Sequence, residues 1–547
     1  GRDLGFGSIL NFTTKIGTGM GEQLLSREYY YLGTQLPLDR FLSFYYAHAG
    51  FHVNNVFIML SLQLLMVTLM NLGALRHETR PCDYDPDVPP TDPLRPPGCA
   101  NTPALQDWIY RSILSIVFVL FFSFVPLVAQ ELIERGVKRA SMRLAKQIFS
   151  LSPFFEIFVC QIYANAVEED LAFGGARYIG TGRGFATSRL PFSIIYSRFA
   201  GPSMYFGIRL LLMLLFATTT AWQPALMYFW IALIGLVISP VLYNPHQFAF
   251  SDFFIDYREF LRWLSRGNSR SHRSSWIAFS RLSRTRVTGY KRKAMGDPSA
   301  KGTADMPRAA FGNIVYSEII GPLFLALVTT MPYLFINAQT GVLPENNDNA
   351  KIEPTAASIR LLAVALAPVA LNAGVLLIMF FMACFMGPLL SMCCKKFGSV
   401  LAAIAHAFAV IGLLISFEAM FLLESFNFER TLCGMIASIA IQRFVIKLIV
   451  ALTLTREMKT DQSNVAFWTG KWYSMGWHSI SQPAREFLCK ITELSMFAGD
   501  FMLGHWLLFM MFPFVLIPKI DMLHSILLFW LRPRYVYKHP SMLTLCC

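Results

Sequence analysis

Asn55-Val-Phe-Ile-Met-Leu-Ser-Leu-Gln-Leu-Leu-Met-Val-Thr-Leu-Met-Asn-Leu-Gly-Ala-Leu75 runs for 21 residues without an acidic or basic side chain. Coiled as a helix at about 1.5 Å per residue, it is as long as the hydrocarbon core of a bilayer is thick, about 30 Å. Comparable stretches recur at 110–132, 204–221, 225–242, 319–336, 361–389, 401–423, 431–454 and 501–517. Nine spans are therefore expected, which makes the fold class an all-α polytopic membrane protein.

Composition agrees. Of 547 residues, 54% are apolar and only 15% charged, against about 25% charged in a soluble domain. The 48 Phe and 25 Met gather in runs longer than a globular helix needs. A net charge of +13 raises nucleic acid as a partner, but no basic stripe stands on a soluble module, so that class is set aside. The charge reads instead as orientation, because Lys and Arg collect in cytoplasmic loops. Between Arg258 and Arg308 there are 13 Lys and Arg against 3 acidic residues, so this segment is expected to be cytoplasmic. Counting spans outward puts the loops at 82–99 and 337–358 on the far side, and both are acid-rich (Asp83, Asp85, Asp87 and Asp92; Glu345, Asp348 and Glu353). One conflict arises at the end, where Lys519, Arg532, Arg534 and Lys538 fall outside unless the last segment is a re-entrant hairpin bending at Pro513.

Cys82 and Cys99 bracket a Pro-rich loop on the side that permits disulfides, and a staple between them is expected. Cys393-Cys394-Lys395-Lys396 stands at a cytoplasmic membrane edge. From 135 to 200, apolar clusters alternate with Lys138, Arg139, Arg143 and Lys146, the pattern of helices lying on the cytoplasmic interface. The glycines at 174–184 read as turns rather than a phosphate loop, since no GKS or GKT accompanies them.

Before the first span, Lys15, Gly17, Gly19, Gly21, Glu22, Gln23, Ser26 and Arg27 form the stretch most suited to chemistry. Glycines permit close backbone approach to a ligand, and Lys15 and Arg27 can pair with phosphate. If the helix continues past Gly21, Gln23 and Arg27 stand one turn apart on one face. Charged groups inside spans are costly and mark candidates for a polar path: Arg209, His406, Glu418, Arg443 and Lys447, of which His406 and Glu418 are the path residues expected here. No cofactor or metal-ligand set is identified. On hydropathy alone, a transporter or scramblase without enzymatic activity fits as well.

The wording is more specific than the hydropathy. Gly1-Arg-Asp-Leu-Gly-Phe-Gly, Asn11-Phe-Thr-Thr-Lys-Ile-Gly-Thr-Gly-Met-Gly-Glu-Gln and Leu25-Ser-Arg-Glu-Tyr-Tyr-Tyr closely resemble the fungal 1,3-β-glucan synthases, relatives of the plant callose synthases. The match continues in order through Gln130-Glu-Leu-Ile-Glu-Arg-Gly, Asn244-Pro-His-Gln-Phe-Ala, Leu423-Glu-Ser-Phe-Asn-Phe and Phe467-Trp-Thr-Gly-Lys-Trp-Tyr. The resemblance implies a multi-pass plasma-membrane enzyme that polymerises UDP-glucose into 1,3-β-glucan with inversion and threads the chain outward. It also implies membrane lipids and a Rho-type GTPase as partners. The catalytic GT-A-like α/β domain would lie mostly upstream, so the chain reads as a C-terminal fragment, inactive alone.

The organisation implied is the tail of that domain with an interfacial helix at 1–54, a first hairpin at 55–132, interfacial helices at 133–203, a pair of spans at 204–242, and a basic loop at 243–314. Four spans follow at 315–454, then an interfacial segment at 455–500 and a last span or hairpin at 501–547. By resemblance, Lys15 contacts the nucleotide sugar with Gly19 and Gly21 beside it, and Glu22, Gln23, Ser26 and Arg27 bind the acceptor. Arg286-Val-Thr288-Gly resembles a proposed UDP-glucose motif. Asp107-Trp108-Ile109-Tyr110-Arg111-Ser112-Ile113-Leu114 resembles a segment tied to echinocandin sensitivity, with Tyr110 where the family usually carries Arg.

Overall fold

The computed structural model of the chain describes residues 6–78, 124–173, 189–220, 226–265, 275–280, 309–336, 355–453, 462–473 and 478–529, with a few isolated positions between them. Cys82, Cys99, the glycines at 174–184, Arg286, Thr288 and most of 107–114 lie outside these residues; Arg111 and Leu114 are helical and exposed. Among the described residues all regular structure is helical.

The chain begins with α1 (Phe6–Leu24), α2 (Arg27–Gln35) and α3 (Leu38–Ala47), then the long α4 (Ala49–Glu78). A helix over 124–135, α5, leads into α6 (Val137–Phe149) and α7 (Ser152–Phe173). Next come α8 (Phe192–Thr220), α9 (Leu226–Leu242) and α10 (Phe250–Ser265). The second half holds α11 (Phe311–Phe335), α12 (Ala357–Ala365), α13 (Ala367–Cys393), α14 (Phe397–Leu423) and α15 (Phe428–Thr453). It closes with α16 (Gln462–Thr469), α17 (His478–Val515) and α18 (Ile520–Phe529).

Among the described residues, seven helices are long and apolar enough to cross a bilayer: α4, α8, α11, α13, α14, α15 and α17. Each covers one of the nine expected stretches. Of the other two, 225–242 forms α9, a shorter apolar helix, and 110–132 is described only over 124–132 and at isolated positions before it. The stretch expected at 361–389 is broken at Leu366, so that α12 is separate and the long helix runs to Cys393. Pro368 explains the break, since it has no N–H to continue the helix's hydrogen bonds to Val364 and its ring fits a helix's first turn. In α8, Pro202 is absorbed by a π-helical turn over Ala200–Met204. The Pro202 carbonyl accepts from Gln161 Nε2 at 2.8 Å, which ties α7 to the turn.

The helices share buried clusters rather than one core. One gathers Met66, Met70, Leu210, Met213, Leu233, Tyr333 and Ile436 from α4, α8, α9, α11 and α15. Another collects aromatic residues from α1, α7, α8, α10 and α17, including Phe158, Phe192, Tyr196, Phe260, Trp276 and Phe497.

The last apolar segment corrects the sequence reading. The helix does not bend at Pro513; it runs unbroken from His478 to Val515, through the boundary expected at 500, and turns only after Val515. Its 38 residues reach about 57 Å, almost twice a hydrocarbon core. Near its start, Cys489 packs with Val287 and Ile314, which belong to the basic segment and its exit into α11. Near its end, Phe512 and Phe514 meet Phe253 and Phe248, at the segment's entry from α9. Beyond the turn, His246 contacts Asp521 at 3.2 Å and His524 reaches the Leu242 carbonyl. Both ends of α17 therefore pack on the two flanks of one basic segment.

Candidate functional site

Leu10, Thr13, Gly17 and Gly21 recur at three or four residues along α1 and are buried on one face. That face lies on α7. A Cβ on Gly17 would sit 2.8 Å from Ala166 Cβ, and one on Gly21 would sit 2.8 Å from Asp170 Oδ2. The close approach that these two glycines allow is thus to another helix. Gly19 is different, with nothing within 4 Å of its Cβ position.

Packing of that face decides what the opposite face presents. Lys15, Gly19, Glu22 and Gln23 stand at i, i+4, i+7 and i+8, one stripe along the helix. Lys15 is exposed, and Glu22 and Gln23 are half-buried, each with one carbonyl or carboxyl oxygen that has no hydrogen-bond partner. Arg198 anchors the start of α1 by donating to Asn11 Oδ1 and the Gly7 carbonyl.

The helix expected to carry both Gln23 and Arg27 is interrupted. Ser26 accepts from Tyr29 N at 3.2 Å and donates to the Gln23 carbonyl at 2.7 Å, so it caps α2 and ends α1. Arg27 becomes the first residue of α2, exposed and on a different axis from Gln23. Behind it Tyr29 stacks near Phe41 and Phe44, with ring centroids 5.9 and 6.1 Å apart. Burial, with Tyr45 nearby, raises the Tyr29 phenol above its usual range.

His406 and Glu418 are not brought together. His406 is buried in α14 with its ring 4.2 Å from Phe497 and 5.5 Å from Trp276, beside an aromatic wall. Glu418, three turns farther along the same helix, is exposed on the outside of the bundle. Of the other charges within spans, Lys447 pairs with Glu318 at 3.2 Å across helices, and Arg209 reaches Gln63 on α4 at 3.4 Å. Among the described residues, no group of three or more His, Cys, Asp or Glu is arranged to hold a metal.

Residues 1–390 match the family model described as 1,3-beta-glucan synthase component. The chain belongs to the 1,3-beta-glucan synthase component family. A 1,3-beta-glucan synthase component of Cordyceps militaris is 71% identical over 99% of this chain, and one of Aspergillus niger is 65% identical over 99%. The chain spans 28% of the length of each of these relatives. Callose synthase 11 of Arabidopsis thaliana is 27% identical over 49% of the chain and 15% of its own length. The family's membership is thus shared by the stripe on α1 and by most of the spans.

Two charged centres in this chain were not among the candidates read from its sequence. Arg360 and Glu424 are each 1% exposed and pair through both guanidinium arms, Nε to Oε1 at 3.0 Å and Nη2 to Oε2 at 2.8 Å. Arg360 also donates to the Tyr333 and Ile336 carbonyls, and Tyr333 OH donates to Glu424 Oε1 at 2.8 Å. The second centre is Asp500, 2% exposed on α17, which accepts from Tyr196 OH at 3.0 Å, Trp276 Nε1 at 2.7 Å and Tyr205 OH. Each residue stands at the edge of an apolar run. A signal was present in the Glu424-Ser-Phe-Asn run, where a charge follows 27 residues of apolar helix.

Proposed function

We propose that this chain is the membrane part of a processive, inverting 1,3-β-glucan synthase, which polymerises UDP-glucose on the cytoplasmic side and passes the glucan across the plasma membrane. The observation that carries this reading is the stripe on α1. In a chain of this family, packing on α7 leaves Lys15 and Gly19 exposed on the opposite side, with Glu22 and Gln23 half-buried along the same stripe. Lys15 would neutralise phosphate charge of the nucleotide sugar. Glu22 and Gln23, half-buried beside it, would bring polar groups to the hydroxyls of the acceptor glucose. A Rho-type GTPase and the lipid bilayer are the partners this reading takes on.

The same reading places the basic segment in the cytoplasm by its charge. With both ends of α17 on the flanks of that segment, the chain after α17 would return to the side on which the segment lies. This supports removing the conflict at Lys519 and Arg532 without a re-entrant hairpin.

The deciding experiment uses membranes that bear the full-length enzyme, with labelled UDP-glucose. Alkali-insoluble product sensitive to β-1,3-glucanase is expected, and Lys15→Ala should abolish it while membrane insertion is unchanged. Normal synthesis by Lys15→Ala would refute the nucleotide role. A solute flux without polymer from the unmodified protein would favour a transporter instead.

A further inference from the structure

The run Gln130-Glu-Leu-Ile-Glu-Arg-Gly136 has no part in the chemistry above, yet it builds a corner. Gly136 has φ +80°, a conformation that side chains with a Cβ resist, and nothing lies within 4 Å of where its Cβ would be. It is therefore the backbone, not crowding, that calls for glycine here. At this residue α5 ends and α6 sets off in a new direction. Glu131, 6% exposed, holds the angle by pairing with Arg135 at 3.6 Å and with Arg143 across the corner. After α6, a second break at Leu151 (φ 53°) bends the chain by 58° into α7.

The helix held in this corner is amphipathic and mostly unburied; Ala140 is its one buried residue. Val137 and Ile148 are 69% and 57% exposed and lie three turns apart on one line, while Met142 and Phe149, 63% and 59% exposed, lie two turns apart on the next. Ile133, near the end of α5, is 84% exposed as well. Lys138 stands within the arc and Arg139 and Lys146 at its border, all exposed, and the helix carries no acidic residue.

We propose that α6 lies in the cytoplasmic headgroup layer and binds anionic phospholipid, with its apolar arc in the acyl boundary and Lys138 and Arg139 on lipid phosphate or carboxylate. Three observations choose a lipid over another occupant. The charge is of one sign, opposite to that of an anionic leaflet. The exposed apolar arc follows one residue after α5, the end of an expected span, so it starts at a membrane edge. The stems of Lys and Arg let the cations reach headgroups from a helix sunk below them. This goes beyond the synthase reading and does not depend on it.

The test uses the full-length protein in nanodiscs of phosphatidylcholine with increasing phosphatidylserine, read as amide hydrogen exchange across α6. Exchange should slow as phosphatidylserine is added. Lys138→Gln together with Arg139→Gln should shift the phosphatidylserine content needed for half protection upward, by about fivefold per cation removed, at about 1 kcal/mol each. Lys395→Gln with Lys396→Gln, an exposed cationic pair at another membrane edge, should leave α6 protection unchanged. Soluble glycerophosphoserine in pure phosphatidylcholine discs should give no protection, which separates a bilayer lipid from a free anion. Exchange indifferent to phosphatidylserine, or protection that survives unchanged in the double variant, would overturn the proposal. So would equal protection by the soluble headgroup.

Discussion

Two carboxylates sit equally deep in this protein and are neutralised in opposite ways. Glu424 faces a guanidinium that meets both its oxygens, while Asp500 is surrounded by two phenols and an indole, donors that bring no formal charge. The first arrangement is a fixed ion pair that joins the ends of α11, α12 and α14. The second joins α8, the segment at 275–280 and the middle of α17. A buried ion pair gains little over apolar packing when intact, but leaves an uncompensated charge when broken. A carboxylate held only by neutral donors shares its energy among several hydrogen bonds, so losing one is cheaper.

That difference sets an order of effects. Arg360→Ala leaves Glu424 buried without a counterion and should destabilise the full-length protein by about 3–5 kcal/mol, seen as a large fall in thermal midpoint in nanodiscs. Arg360→Met with Glu424→Leu should recover most of that loss; failure to recover would mean that the pair does more than cancel charge. Asp500→Asn keeps the shape but points an amide N–H at a donor, at a cost of about 1–3 kcal/mol. If it equals the cost of Arg360→Ala, the contrast between the two centres is wrong. Tyr333→Phe removes one of several donors to Glu424 and should cost about 1 kcal/mol.

The smallest effect belongs to His246, in the connection between α9 and α10. Its hydrogen bond to Asp521 raises its pKa above the ordinary value near 6.5. A raised folded pKa means that the contact stabilises fully below about pH 6.5 and fades as pH rises through the folded value. Stability should therefore decline slightly between neutral and mildly alkaline pH, by about 1 kcal/mol or less. His246→Gln should flatten that slope. An unchanged slope in the variant would assign it to another group.

Much of the architecture was written locally. Runs such as 55–75 and 401–423 are apolar for as long as a bilayer is thick, and no neighbour is needed to make them helical or to keep them out of water. The stripe from Lys15 to Gln23 was also legible as a set of residues. What it could not show was which side would be free. Gly17 and Gly21 looked like room for a ligand and turned out to be room for α7. Ser26, likewise, carried a capping preference that separated Gln23 from Arg27, although their spacing suited one helix.

The sequence alone determined the helical, multi-pass class and the family. Hydropathy and residue order are properties of the chain itself, and neither depends on who packs against whom. Only the tertiary structure decided that α17, apolar enough to span, has both ends on the flanks of one basic segment. Only it found the partners of Glu424 and Asp500, which lie 64 and 224 residues away at Arg360 and Trp276. A charge next to an apolar run has the same local pattern whether it faces headgroups or a buried guanidinium, and the distinction exists only once distant helices meet.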